Sequence, residues 1–197
     1  PSVSTATGAS APTLTVDESD LATNNSVNAS ASFADLFEVA YGADGAGATA
    51  YSLDVAKTAS GLIDVASGEA ITLSKDANGQ IIGQTASGAI AFTISVAADG
   101  TVTLDQQRAL RHPDNTDPDD SVSLVADSIR LTATATDRDG DSSSQAILLG
   151  AGFVFKDDGP RVSMTAASGV SVTIDETSAG STANGTFATA ITATSAA

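Results

Sequence analysis

Along much of the chain, hydrophobic residues return at every second position, the spacing of a strand with one buried face. Ile90, Phe92, Ile94 and Val96 alternate with Ala91, Thr93 and Ser95. Asp99-Gly100 interrupts this run, and alternation resumes at Val102 and Leu104, so 90–104 reads as a hairpin. Tyr51, Leu53 and Val55 predict a further strand, and Ile129, Leu131, Ala133 and Ala135 another. Shorter candidates are Leu14–Val16, Leu36–Tyr41, Ile71–Leu73, Gln80–Thr85, Gln145–Leu149 and Phe153–Lys156. Only Asp105–Arg111 has the makings of a short helical turn. Strands at this spacing, separated by Gly, Asp and Ser, predict an all-β sandwich or barrel.

Composition narrows what such a fold can do. Only 4% of the 197 residues are aromatic, so the expected core is modest and β-branched. The absence of cysteine removes disulfides, thiolate metal sites and thiol nucleophiles, and the single histidine excludes a multi-histidine metal site. With 24 acids against 8 bases the net charge is -16, which leaves no Lys/Arg cluster for nucleic acid. No apolar run reaches the roughly 20 residues of a membrane helix, so membrane insertion is not expected. All but four of the acids are Asp, the residue of tight turns and hard-cation loops.

The chain carries a weak internal repeat. Leu14-Thr15-Val16-Asp17-Glu18-Ser19 returns as Val172-Thr173-Ile174-Asp175-Glu176-Thr177, and Pro1-x-Val3-Ser4 returns as Pro160-x-Val162-Ser163. A period this long indicates an array of whole domains. Residues 1–159 then form one complete copy, and 160–197 either start the next copy or add strands to the first. Starting at Pro1, the sequence reads as a piece of something longer.

The sharpest candidate chemistry is Asp137-Arg138-Asp139-Gly140-Asp141. Carboxylates at alternating positions around a glycine can converge on one calcium ion. An EF-hand would require Glu where Leu148 stands, so that motif is rejected. The plain alternative is a hairpin tip with solvated charges. A second candidate is Asp157-Asp158-Gly159-Pro160, a stiff junction between copies that a cation would rigidify. A third is Asp17-Glu18 with its repeat Asp175-Glu176. If the first strand enters at one end of an elongated sandwich and the last leaves at the other, the Asp137–Asp141 loop faces the preceding junction. Asp157 and Asp158 would face the following copy's entry end, near Asp175 and Glu176.

The segment from His112 to Asp120, with Asp114, Asp117, Asp119 and Asp120, is dense in oxygen donors and is either an intradomain cation site or a long surface loop. His112 beside Asp114 does not make a hydrolase, and no Gly-x-Ser-x-Gly elbow is present; a structural or exposed histidine is expected. Gly42-Ala43-Asp44-Gly45-Ala46-Gly47 lacks a tandem β-roll repeat and reads as a turn.

Together, Val16-Asp17-Glu18-Ser19, Tyr41-Gly42-Ala43-Asp44-Gly45-Ala46-Gly47, Thr103-Leu104-Asp105-Gln106-Gln107-Arg108-Ala109, His112-Pro113-Asp114, Asp117-Pro118-Asp119-Asp120-Ser121, Thr134-Ala135-Thr136-Asp137-Arg138-Asp139-Gly140-Asp141-Ser142 and Phe155-Lys156-Asp157-Asp158-Gly159-Pro160 resemble the long tandem repeat of giant RTX-type adhesins exported by bacterial type I secretion. The resemblance covers about residues 1–160. It implies a calcium-stabilised, Ig-like antiparallel β-sandwich that serves as a non-enzymatic extender in a biofilm or surface-attachment protein. It also implies secretion to the bacterial cell surface, with neighbouring repeats of the same chain as partners and no oligomer beyond the monomer. Any surface or glycan ligand would be taken by other domains. The rival reading is a repeat that itself binds a glycan, which the absence of Trp disfavours.

Overall fold

In a computed structural model, residues 1–117, 119–158, 162–163, 182 and 192–193 are described. The alternating runs become strands: β1 (Ser2–Thr5), β2 (Leu14–Asp17), β3 (Val27–Ser32), β4 (Phe37–Ala40) and β5 (Ala46–Val55). After them come β6 (Ala59–Ile63), β7 (Ala70–Lys75), β8 (Ile81–Gln84), β9 (Ile90–Val96) and β10 (Thr101–Gln106). The later strands are β11 (Ser121–Ser123), β12 (Ile129–Asp137), β13 (Ser142–Leu149), β14 (Phe153–Lys156), β15 (Val162–Ser163) and β16 (Thr192–Ala193). The fold is all-β and sandwich-like, as expected.

One layer is a six-stranded antiparallel sheet in the order β3-β10-β9-β8-β7-β6. The other holds β13-β12-β5, β11-β14-β2 and the β1-β4 pair. Pairing is antiparallel except between β14 and β2, which run parallel with Phe155 opposite Val16. Inward-facing Ile81, Phe92, Ile94, Val102 and Leu104 meet Leu53, Leu131, Ala133 and Phe155, all fully buried. Phe92 and Phe155 join the layers with ring centroids 5.1 Å apart. Gly83 makes room for this contact, because a Cβ there would collide with the Phe92 ring.

The expected helical turn over Asp105–Arg111 is not formed. Asp105 and Gln106 stay in β10, paired with β9 on one side and β3 on the other, and the amides of Gln107 and Arg108 both donate to the Ala91 carbonyl. Ladder bonds thus claim the amides that a helix would have used. The short helical pieces lie instead at Glu18–Asp20, Leu21–Asn24 and Ala34–Leu36. Among the described residues, no helix is long and apolar enough to cross a membrane.

The order of contacts gives the sandwich two distinct ends. The Pro1 nitrogen lies beside Asp137, at the close of β12. β10 begins after Gly100, which packs against the Tyr51 ring. It leads down past the level where Lys75 meets Asp54, and ends at Gln106, whose side chain reaches Glu18. Because Asp54 is farther than Tyr51 from the Asp137 end of the sheet, Glu18 sits at the opposite end from Asp137. The nine residues of β12 alone separate the two ends by ~26 Å at about 3.3 Å per residue. β14 leaves at the Glu18 end, since its partner β2 runs straight into that residue.

Candidate functional site

Among the described residues, two sets of three side chains bring possible ligand atoms within 4.8 Å of one another: Asp44, Asp137 and Asp139 at the entry end, and Glu18, His112 and Asp157 at the exit end.

The entry set follows from the strand period. Leu131, Ala133 and Ala135 face inward along β12, and Asp137 takes the next inward position, so a carboxylate ends an apolar row. A β-bulge between Thr136 and Asp137 lies opposite Gly47. Only glycine fits there, because a Cβ at Gly47 would strike the carbonyls of Thr136 and Asp137. The loop then closes on itself: the Asp137 amide donates to the Asp141 carbonyl at 3.0 Å, and the Gly140 amide donates to the Asp137 carbonyl at 3.3 Å.

The Asp137 side chain is 1% exposed, with Oδ2 located 3.3 Å from the Pro1 nitrogen. Its Oδ1 is buried without a hydrogen-bond partner. Asp139 titrates above the ordinary carboxylate range because the Asp137 side chain is beside it, and Asp137 is shifted down by the same pairing. Two carboxylates this close repel unless a proton or a cation lies between them. Three carboxylates with one buried, unpartnered oxygen are a donor set that suits calcium, which takes oxygen ligands only. Asp141 serves the loop through its carbonyl, and its exposed carboxylate is not among the three. Asp44, from the segment expected to be merely a turn, takes that place.

The exit set is more enclosed. Glu18 opens the short helical segment after β2 and is buried, whereas Asp17 is exposed and accepts a hydrogen bond from the Ser19 amide. Glu18 Oε1 accepts from Gln106 Nε2 at 2.5 Å and from the Leu110 amide at 2.9 Å. His112 Nε2 is 3.6 Å from that same oxygen, too long for a hydrogen bond. The His112 side chain is 3% exposed, and neither ring nitrogen has a hydrogen-bond partner. Burial pulls the imidazole pKa down, but Glu18, with Asp157 and Asp120 beyond it, outweighs burial and lifts it above the ordinary value. The histidine expected to be structural or exposed is therefore buried among carboxylates.

Asp157 is anchored by its amide, which donates to the Asp120 carbonyl at 2.8 Å. Asp158 follows, with its amide on Asp157 Oδ1 at 2.9 Å and its own Oδ2 buried and unpartnered. Asp175 and Glu176 lie outside the described residues.

The His112–Asp120 acids are largely occupied with local structure. Asp114 and Asp117 accept from the amides two residues on, as Asx turns do. Asp120 accepts from the Asp114 and Ser121 amides. Asp119 pairs with Lys156 at 2.7 Å. These contacts bend the loop so that its first residue, His112, reaches Glu18.

One polar centre carried no signal in the alternation. Asp64 is fully buried and forms a two-point pair with Arg108, at 2.8 and 3.0 Å, while also accepting from the Ser67 amide and hydroxyl. Chiefly through Arg108, its carboxyl is held down at about 2. Both tyrosines pack against the core, and Tyr41 is further held by a 2.6 Å hydrogen bond to Thr49.

Residues 13–150 match DUF5801, a domain of unknown function. The chain belongs to that family. Comparison with curated proteins and with solved structures gave no match. The DUF5801 match takes in Glu18, Asp44, His112, Asp137 and Asp139, and stops before the Asp157-Asp158 junction.

Proposed function

We propose that this DUF5801 domain is a calcium-binding, non-enzymatic extender repeat of a large secreted bacterial adhesin of the RTX type. The observation that carries the reading is the position of Pro1, at the acidic entry tip beside the buried Asp137 carboxylate. The recurrence of Pro1-x-Val3-Ser4 at Pro160 puts Asp157-Asp158-Gly159 immediately ahead of a copy. A preceding copy would therefore set its own two junction acids against Asp44, Asp137 and Asp139. Calcium held between the two groups would fix the angle between domains with little new buried area, since oxygen ligands from both sides of a short link restrict its torsions. Folding outside the cell in millimolar calcium would follow from the same chemistry.

The position of Glu18 modifies one expectation. Asp175 and Glu176 repeat Asp17 and Glu18, which stand at the exit end of this copy, so the entry-end partner of the junction is assigned to Asp44 and the Asp137 loop instead. The rival glycan reading loses support from the tyrosines, which are packed against the core and not presented as an open platform.

The test is small-angle scattering on two complete tandem copies. With calcium the particle should be long and stiff, and with chelator, or with Asp157→Ala and Asp158→Ala in the first copy, it should flex and its maximum dimension should fall. Identical scattering in all three states rejects the extender mechanism.

A further inference from the structure

The exit end differs in donor chemistry from a calcium site. Calcium takes oxygen, yet the side chain at the centre of Glu18, His112 and Asp157 is an imidazole whose two nitrogens are buried with no hydrogen-bond partner. An imidazole cut off from water ordinarily bonds through both nitrogens, and leaving them idle is costly. A metal ligand has such a use for one of them.

The surroundings fit that role. Glu18 is fixed by Gln106 Nε2 and the Leu110 amide, and Gln106 is itself tied to the Arg108 carbonyl at 3.0 Å. Carboxylate ligands held by hydrogen bonds of this kind are the usual outer layer of a protein metal site. Asp157 is set by the Asp120 carbonyl on one side and by the Asp158 amide on the other. The three donors come from separate parts of the chain: the end of β2, the loop after β10 and the end of β14. One imidazole and two carboxylates form a donor set that zinc and its neighbours favour.

We infer that Glu18, His112 and Asp157 form a second cation site, selective for a zinc-type divalent ion over calcium, which ties the exit strand to the core. This inference does not rest on the calcium reading. It takes Asp157 out of the junction proposed above and leaves Asp158, with its buried unpartnered oxygen, as the junction acid that faces the following copy.

The chain has a single histidine, so every imidazole signal of the untagged protein belongs to His112. Zinc chloride, titrated into protein saturated with calcium, should shift a ring ¹⁵N resonance at one equivalent, and calcium alone should leave the ring resonances in place. His112→Gln should lower zinc affinity at least tenfold while leaving calcium stoichiometry unchanged, with a melting curve in calcium confirming that the variant is folded. Asp54→Asn, at a half-exposed position away from the three donors, should leave zinc binding intact. Ring resonances that ignore zinc, or that move with calcium to the same extent, overturn the inference without a mutant. Unchanged zinc affinity in folded His112→Gln overturns it as well.

Discussion

Asp64 and Asp137 are both buried carboxylates, but the protein treats them in opposite ways. Asp64 is met by Arg108 at two points and by Ser67 at two more, and so is fully compensated from within the chain. Asp137 has an oxygen with no partner and two further carboxylates within reach. Burying a charge without compensation costs several kcal/mol, on the order of what one domain can spare. The first is therefore a structural device closed on itself. The second is compensated in part, by the Pro1 nitrogen at Oδ2, and keeps an open valence at Oδ1.

If this contrast is right, removing the internal cation should cause the larger damage. Arg108→Met leaves Asp64 uncompensated in the core and should destabilise the fold by about 3 kcal/mol. The loss, read from urea midpoints, should be the same in calcium and in chelator. A loss that calcium restores would mean that Asp64 too can recruit an external ion, and the comparison would fail.

Calcium itself should have the next largest effect. Binding only to the folded state at 100 times the dissociation constant adds about 2.7 kcal/mol per site. Thermal melts in excess calcium and in chelator measure it, and magnesium should substitute poorly because it prefers a smaller octahedral shell. Asp139→Asn sharpens the point. It removes a ligand and so should reduce the calcium-induced gain, yet in chelator it should melt no lower than the wild type, because a neutral amide can keep the side-chain hydrogen bond to Asp137 that chiefly raises the Asp139 pKa, without the charge repulsion that adds to it. A variant equally weakened in both conditions would show that Asp139 is a structural residue.

The sequence made the frame legible and the sites only in part, for physical reasons. Strands with bulky inward residues, such as β9, β10 and β12, declare themselves by period. β3 did not, because its inward positions Val27, Ala29 and Ala31 are mostly alanine and alternate with Asn and Ser. β6 was hidden by Ser60, buried and bonded to the Ile71 carbonyl where a hydrophobe would be expected. The Asp137 loop stood out because its ligands are neighbours in sequence. Asp44, which completes the cluster, comes from the turn just before β5, and only the β5–β12 register brings it there. The neighbours of His112 were illegible for the same reason: Glu18 and Asp157 are remote in the chain, and no local pattern reports them. A signal was available in retrospect at Gly47, since a glycine inside a strand marks a bulge or a close backbone approach.

Acid should separate the two carboxylates next. The Asp64 pKa is depressed in the folded state to about 2 from an ordinary 3.8. Its contribution is thus fully present above pH 4 and is lost as pH falls from about 4 through 2. Because a tenfold change in proton affinity is worth about 1.4 kcal/mol, the contribution at stake is roughly 2 kcal/mol. Stability measured against pH in chelator should fall less steeply over that window in Asp64→Asn than in the wild type. Equal slopes would mean that the Arg108 pair does not hold the proton off.

The smallest effect belongs to an acid that is neither buried nor open in this sense. Asp54 pairs with Lys75 at 2.8 Å, but the side chains are 48% and 36% exposed, so water competes for both. Such pairs contribute less than about 1 kcal/mol, and salt screens them. Asp54→Ala should therefore shift the melting temperature only slightly, and the coupling in a double-mutant cycle with Lys75→Ala should shrink further in roughly 0.5 M sodium chloride. The variant also removes one negative charge from a chain of net charge -16, which makes it the control for bulk electrostatics. If Asp54→Ala reduced the calcium-induced stabilisation as much as Asp139→Asn does, charge density and not coordination would account for the calcium response. The distinction between an open valence and an ordinary surface acid would then disappear.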